Sequence, residues 1–425
     1  MSKKLLAMLL ALVMIIGCVS ALAEETVKLT LWTFQELHLQ LYKDQLEKYN
    51  AQTTGPKLDI DMQVYPYEDL HSKLTIALQT GEGAPDISDI EINMFANYLK
   101  GDIQLAAMNE HVEPIKDKLV MARLDNYARQ GNYYGIDHHI GACAVFYNTE
   151  ILEAAGINYL DIKTWDDFAA AGKVVLEKTG KPMTSWETGD CWSIYPLVSQ
   201  HGGDWLAEDG TVRMDEQVVI DTLKFMDQMM KDGTAVATPG ANHHSEEYYG
   251  WMNAGNCASV VMPFWYTDRF LNYMPDLQGK MKVAPMPVWA DGTGYKTAQM
   301  GGTGTAVVKT SKNVELAKDY LAFATLSYDA GLQSWKLLGF DPIRTDLYGT
   351  EDLKADNKFF QYYESDIFSA IENTLDSVAP TCLIDTFPMA SDIVKQQMAY
   401  NLFVLRQDPE TVAKDCAEEL RMMIE

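Results

Sequence analysis

Residues 27–32 alternate apolar and polar side chains at period two and end on an aromatic, which predicts a half-buried strand. The period then changes, and residues 37–50 place Leu37, Leu41 and Leu46 on one side of a helix. Residues 58–64 alternate again. Residues 68–80 set Leu70, Leu74, Ala77 and Leu78 on a second helical face, closed by Gly81 at a position that tolerates positive φ. A third strand starts at residues 84–87. Strand, helix, strand, helix, strand with short connections predicts right-handed crossovers and a mainly parallel sheet, the first lobe of an α/β protein.

The middle of the chain repeats this grammar. Residues 142–147 read as a strand, and residues 163–178 as a helix opened by a capping box from Thr164 to Asp167. In residues 215–231, Val219, Leu223, Met226 and Met230 keep one helical face, with Gly233 just past the end. Residues 311–326 predict another helix, with Ser311 as N-cap, Glu315 in the first turn, and Leu316, Tyr320, Phe323 and Leu326 inward. Residues 350–425 read as mostly helical with breaks near Pro380, Pro388 and Pro409. There is no tandem repeat and no Pro- or Ser-rich linker, so the two α/β units are expected to be joined by short hinge segments.

Composition narrows the function classes. The 425 residues are 47% hydrophobic, with 14 Phe, 9 Trp and 22 Tyr, enough to bury a sizeable core. Sixty acids against 34 bases give a charge of −26, and no basic run exceeds Lys3-Lys4, which argues against nucleic acid and anionic lipid. Those lysines precede an apolar run at residues 5–16, too short to span a membrane, and small residues follow: the order of an export signal over residues 1–23. Two processing sites compete. Ile15-Ile16-Gly17-Cys18 resembles a lipobox with Cys18 lipidated, giving a cell-surface lipoprotein on the outer face of the cytoplasmic membrane; Ala21-Leu22-Ala23 fits ordinary cleavage, giving a periplasmic or secreted protein. Beyond Cys18 stand Cys143, Cys191, Cys257, Cys382 and Cys416, with no C-x-x-C spacing, so no structural zinc is expected.

Catalytic signatures are missing. No serine sits in Gly-x-Ser-x-Gly, and there is no H-E-x-x-H and no phosphate-binding P-loop. The pairs His138-His139 and His243-His244 are adjacent residues that, on a strand, would face opposite ways. Gly301-Gly302-Thr303-Gly304 lacks the third glycine of a dinucleotide loop, and reads as a strand entry where backbone approaches something closely. No cofactor and no metal are expected. A glycoside hydrolase needs only two carboxylates and stays open, although two α/β lobes are not a barrel with acids at successive strand ends.

Several stretches together resemble the extracellular solute-binding proteins of carbohydrate ABC importers, the family 1 group that includes maltose-binding protein. They are Leu31-Trp32-Thr33-Phe34, residues 73–81 followed by residues 84–87, Tyr134-Gly135-Ile136 leading to Phe146-Tyr147-Asn148 and Ala155-Gly156, and the helix at residues 311–323, with a weaker match at residues 255–265. Asp137 stands where the group usually has Pro, and the start of the chain resembles the lactose and arabinosaccharide branch. The resemblance implies a two-lobed, periplasmic-binding-protein-like α/β fold with three hinge crossings and a ligand cleft between the lobes. It implies an ABC-importer component that binds a carbohydrate, more specifically an oligosaccharide, by hinge closure, performs no chemistry, and hands its ligand to a permease; a non-sugar solute on the same scaffold is the alternative. A monomer is expected. The lobes would be residues 25–138 with 296–346, and 139–290 with 350–425.

Sugars are bound by flat aromatic faces and by carboxylates or amides that accept from hydroxyls, placed at the carboxyl ends of strands. The candidates in the first lobe are Trp32, Phe34, Gln35, Glu36, Asp89 and Glu91. Asp137 and His138 fall near the first crossing; Trp186, Glu187, Trp192, Trp265 and Tyr266 come from the second lobe. Gly302 and Trp335 complete the set.

Overall fold

The computed structural model describes residues 26–425; the export segment at residues 1–23, with Cys18, lies outside them. Strand β1 (Thr26–Thr33), helix α1 (His38–Gln52), β2 (Lys57–Val64), α2 (Tyr67–Thr80) and β3 (Ile87–Glu91) follow the expected alternation. Strand β1 runs parallel to β2, from Thr26 opposite Lys57 to Thr33 opposite Val64, and parallel to β3, with Leu31 opposite Ile87. Gly81 closes α2 in the left-handed conformation at φ 73°, its N–H donating to the Ala77 carbonyl. A fourth strand from far along the chain, Thr303–Val307, completes the order by pairing antiparallel with β3, Thr303 opposite Glu91. The carboxyl ends of β1 and β3 and the amino end of this late strand therefore meet on one edge of the sheet.

The second sheet departs from the parallel grammar. Its centre is β4 (Cys143–Asn148), flanked by β5 (Ser259–Pro263) and β6 (Met281–Pro285), both antiparallel to it. Strands β5 and β6 run the same way, joined through helix α3 (Thr267–Tyr273), so β4 is inserted against the grain between the two ends of a crossover. All six residues of β4 are buried, because helices cover both faces of the sheet; such a strand reads as a continuous apolar run that carries no signal of direction. The helix Trp165–Thr179 opens with the expected capping box, and Trp165 is a core residue whose Nε1 donates to Gln200 at 2.8 Å. The late strand Thr303–Val307 leads to the helix Val314–Leu326, which starts after Asn313, two residues beyond the expected cap at Ser311; its buried face is Ala317, Tyr320, Leu321 and Ala324, while Leu316 and Phe323 are half-buried. The five described cysteines are free thiols. No helix among the described residues is long and apolar enough to cross a membrane.

The segments that pass between the sheets are fastened by a buried ion pair. Asp137 Oδ2 accepts from Arg123 Nε at 2.9 Å, Tyr127 Oη at 2.6 Å and the Thr303 N–H at 3.0 Å. Arg123 also donates to Gln299 Oε1 at 3.2 Å and to the Gly301 carbonyl. Burial alone would raise the Asp137 carboxyl, but the guanidinium beside it holds it well below the usual carboxylate range. Asp137 is thus the anchor of the crossing. A second buried carboxylate, Asp341, accepts from the N–H groups of Gly141 and Ala142 at 3.2 and 2.8 Å and ties residues 339–343 to the same place.

Gly302 is dictated by this packing. Its φ is 132°, and a Cβ there would lie 1.4 Å from Arg123 Nη2 and 2.6 Å from Asp137 Oδ2. Gly302→Ala is expected to cost about 3–5 kcal/mol, the penalty for breaking a buried ion pair, and Arg123→Met a comparable amount, both read by urea denaturation. A loss below about 1 kcal/mol in both variants would show that the pair does not hold the crossings.

Candidate functional site

A cleft of ≈ 440 Å³ opens between the two sheets, at the strand ends that the fold brings together. On the first side Phe34 and Gln35 follow β1, Glu91 and Asn93 follow β3, and Gly302 and Thr303 precede the late strand. Phe34 packs edge-on against Tyr67 at 5.6 Å. Glu91 caps the short helix Ile92–Phe95: its Oε2 accepts from the Asn93 N–H at 2.9 Å and from Tyr67 Oη at 3.1 Å. The Glu91 N–H donates to His71 Nε2 at 3.1 Å, so the His71 proton sits on Nδ1, facing the Tyr67 carbonyl at 2.8 Å. Desolvation pushes the Glu91 carboxyl up to about 7.

The facing wall is aromatic. Trp192 and Trp265 meet nearly at right angles, 5.3 Å apart and 83° between planes, and His244 stacks on Trp265 at 5.7 Å. Trp265 Nε1 donates to the Met300 carbonyl at 3.1 Å, which fixes its ring. A Cβ on Gly301 would come within 3.0 Å of Trp192 and 3.2 Å of Trp265 Nε1, so this glycine lets the strand entry lie against both indoles. Asp190, Arg269 and Lys395 complete this side, with His139 and Phe340 at the base. The charges are matched: Lys395 lies 3.9 Å from Asp190, and Arg269 lies 2.9 Å from Asp268.

Of the residues singled out by the sequence, Phe34, Gln35, Glu91, Trp192, Trp265 and Gly302 line the cleft. Glu36 turns away into an adjoining groove. The others lie deeper. Asp89 is buried beneath the floor, accepting from His38 Nδ1 at 2.9 Å, Tyr42 Oη at 2.7 Å and Thr305 Oγ1 at 2.8 Å, and it holds His38 at the cleft surface. Asp137 is consumed by Arg123, and His138 is covered by Phe340, stacked 5.7 Å away. Trp32 packs against Tyr65, and Lys73 lies over its ring. Trp186 is 1% exposed in the core of the second lobe. Glu187 accepts from the His243 N–H at 2.7 Å, and Tyr266 Oη donates to the His243 carbonyl, so both brace the loop that presents His244. Trp335 is fully buried against Phe359 and Phe368. These eight are corrected from lining to support, because each is at most 4% exposed, its side chain enclosed by neighbouring segments.

His38, Tyr67, Asn93, His139, Asp190, His244, Arg269, Thr303, Phe340 and Lys395 also line the cleft and were not singled out by the sequence. Of these, His38, Asn93, His139, Asp190, His244 and Thr303 lie within two residues of a candidate or in a noted His pair; Tyr67, Arg269, Phe340 and Lys395 carried no signal. Asp137, His138 and His139 bring three ligand-type atoms within 4.8 Å of one another. The Arg123 guanidinium, 2.8 Å from Asp137 Oδ2, already supplies the positive charge there, so the group does not fit a cation.

The profile of bacterial extracellular solute-binding proteins matches residues 36–327. The chain is 41% identical over 420 residues to an arabinooligosaccharide-binding protein of Bacillus subtilis, covering 97% of this chain and 96% of that one. It is likewise 41% identical to the arabinooligosaccharide-binding protein of Halalkalibacterium halodurans, covering 93% and 89%. In fold it is similar to the sugar-binding protein MalE of Xanthomonas citri, with TM-score 0.78 at 16% identity over 93% of this chain and 96% of that one. The GacH receptor of Streptomyces glaucescens, solved unliganded and with acarbose, gives TM-score 0.74 at 20% identity over 94% and 98%. The fold is therefore the two-lobed α/β architecture with a cleft between lobes.

Burial acts in opposite senses on the acids and histidines around the cleft. It raises the carboxyls of Glu91 and Asp341 to about 7 and of Glu187 to about 8, and lowers His138 to about 4 and His243 and His244 to about 3. Between roughly pH 4.5 and 8 the folded protein keeps carboxyl protons that the unfolded chain has released, so this contribution to stability falls as pH rises. Between roughly pH 3 and 6.5 the unfolded chain binds histidine protons that the folded protein refuses, so that contribution rises with pH. The two oppose each other in the overlap and separate outside it. The melting temperature is expected to drop from about pH 6.5 to 8.5, and again from about pH 4.5 to 3. A steady climb to the alkaline end would contradict protonated buried carboxyls.

Proposed function

We propose that this chain, which belongs to the bacterial extracellular solute-binding protein family, captures a neutral oligosaccharide and delivers it to the membrane permease of an ABC importer. The observation that carries the ligand class is the cleft itself. Two fixed indoles and Phe34 offer apolar faces to the C–H surface of a sugar, while Gln35, Glu91, Asn93, Asp190, Arg269 and Lys395 offer acceptors and donors to its hydroxyls. The acid and base groups are matched in number and placed close together, which disfavours a strongly charged solute. The names of the two relatives at 41% identity support an arabinooligosaccharide. The hydrolase alternative falls, since the family is one of binding proteins and not of enzymes.

The division into residues 25–138 with 296–346 and residues 139–290 with 350–425 supplies two bodies whose closure would complete the site. A ligand touching both walls binds the closed form better and shifts the equilibrium toward it, the hinge closure typified by periplasmic binding proteins. Such a change is what a permease needs to tell loaded from empty protein. The acyl anchor on Cys18 belongs to the same reading: a binding protein tethered beside its permease, monomeric, on the outer face of the membrane.

Calorimetric titration with arabino-oligosaccharides tests the ligand. Binding is expected, and Trp265→Ala should weaken it by about 2 kcal/mol, roughly thirtyfold. Trp186→Ala, by contrast, should cost about 3–5 kcal/mol of stability as a core deletion. A panel in which no neutral sugar binds would overturn the proposal. Expression in a host that processes lipoproteins should put the protein in the membrane fraction and Cys18→Ala should release it; a mature N-terminus at Glu24 would refute the anchor.

A further inference from the structure

Beside the cleft lies a second cavity of ≈ 400 Å³, between Gln40 and Lys43 of α1 and Asp268, Asn272 and Tyr273 of α3. Gln35, Leu37 and Arg269 line both cavities, so the two adjoin. We propose that this groove is a further stretch of the same binding site, taking sugar residues of a longer chain that run past the tryptophans. The proposal rests on the oligosaccharide reading and adds to it a direction and a length.

The first support is space. A pentose residue within a chain has nine heavy atoms and, at the packing density of organic crystals, fills about 150 Å³. The cleft of ≈ 440 Å³ therefore has room for about three such residues, and the groove of ≈ 400 Å³ for about two or three more. The second support is chemistry. Tyr273 is 45% exposed, and its ring is held parallel to Tyr249 at 4.6 Å, which fixes it as a platform with its outer face open to a ligand. Among the described residues, the side-chain amides of Asn272, beside Tyr273 on α3, and of Gln40, on the facing helix α1, are exposed and make no hydrogen bond, so they are available to hydroxyls. The third support is charge. Glu36 and Asp268 are matched by Lys43 and Arg269, the same balance as in the cleft, so the groove suits the same neutral polyol. An exposed tyrosine, free amides and balanced charge in a cavity that adjoins a sugar-sized cleft together describe a continuation of it.

Calorimetry with linear arabino-oligosaccharides from the disaccharide to the hexasaccharide decides this. Affinity is expected to rise about tenfold between the trisaccharide and the pentasaccharide. Tyr273→Ala should remove most of that gain and leave the disaccharide within about twofold of the unsubstituted protein. Because Tyr273 packs on Tyr249, its variant is checked by melting temperature, and Gln40→Ala, on the opposite wall with an exposed side chain, serves as the second variant with the same expected pattern. An affinity that stays flat beyond the trisaccharide, or variants that weaken short and long chains alike, would overturn the extension while leaving the cleft assignment standing. Failure of every length to bind would overturn the oligosaccharide reading and the extension together.

Discussion

The arrangement of the cleft depends on one buried ion pair, Arg123 with Asp137. Removing a guanidinium and a carboxylate from water is costly by several kcal/mol for each ion, and mutual attraction offsets it only when the remaining lone pairs and protons are also satisfied. Here they are: Tyr127, the Thr303 N–H and the His139 N–H serve the carboxylate, and Gln299 and the Gly301 carbonyl serve the guanidinium. Because the pair and its partners tie residues 123–127 and 137–139 to residues 299–303, it sets the position of both walls at once. It also sets the local sequence, since neither Gly301 nor Gly302 can carry a side chain without striking an indole or the guanidinium.

What the walls then present follows from topology. Parallel strands β1 and β3 deliver their following loops to one edge, and the antiparallel late strand delivers its preceding glycines to the same edge. The opposing wall is built from loops braced from beneath, Glu187 and Tyr266 gripping the two backbone faces of His243 so that His244 can stack on Trp265. Groups of high chemical interest, such as Asp89 and Glu187, therefore act on the ligand through the residues that they hold. Placing them one layer back lets each be hydrogen-bonded away from the apolar faces, where an unpaired carboxyl group would be costly.

A cleft with aromatic faces and matched charges suits binding without reaction. Among the described residues lining the cleft no carboxylate pair is left free to act as acid and base: Glu91 is engaged as a helix cap and Asp190 lies beside Lys395, while deeper Asp341, Asp89 and Asp137 are held by backbone N–H groups, His38 and Arg123. A neutral polyol exchanges its water hydrogen bonds for such groups at little net electrostatic gain, so selectivity must come from shape and from the stacking surfaces.

The sequence by itself determined the first three strands and the two helices between them, because periods of two and of 3.6 are local properties: the alternation in residues 27–32 and 58–64 and the Gly81 cap stand where they were read, as does the Thr164 capping box later in the chain. It also located the strand ends that carry Phe34, Glu91 and Trp265, singled out Trp192, and identified the glycines at 301 and 302 as a point of close backbone approach. Tertiary structure alone decided which side of the wall each candidate occupies. Trp335 and Trp265 have the same side chain in similar apolar surroundings, yet one is enclosed by Phe359 and Phe368 and the other faces the cleft, since enclosure depends on segments distant in the chain. For the same reason the antiparallel insertion of β4 was not legible, because a strand buried on both faces has no period to betray its direction. Lys395 and Arg269 reach the cleft only because helices distant in sequence fold over it, and a single charged residue on a helix carries no mark of what it will face.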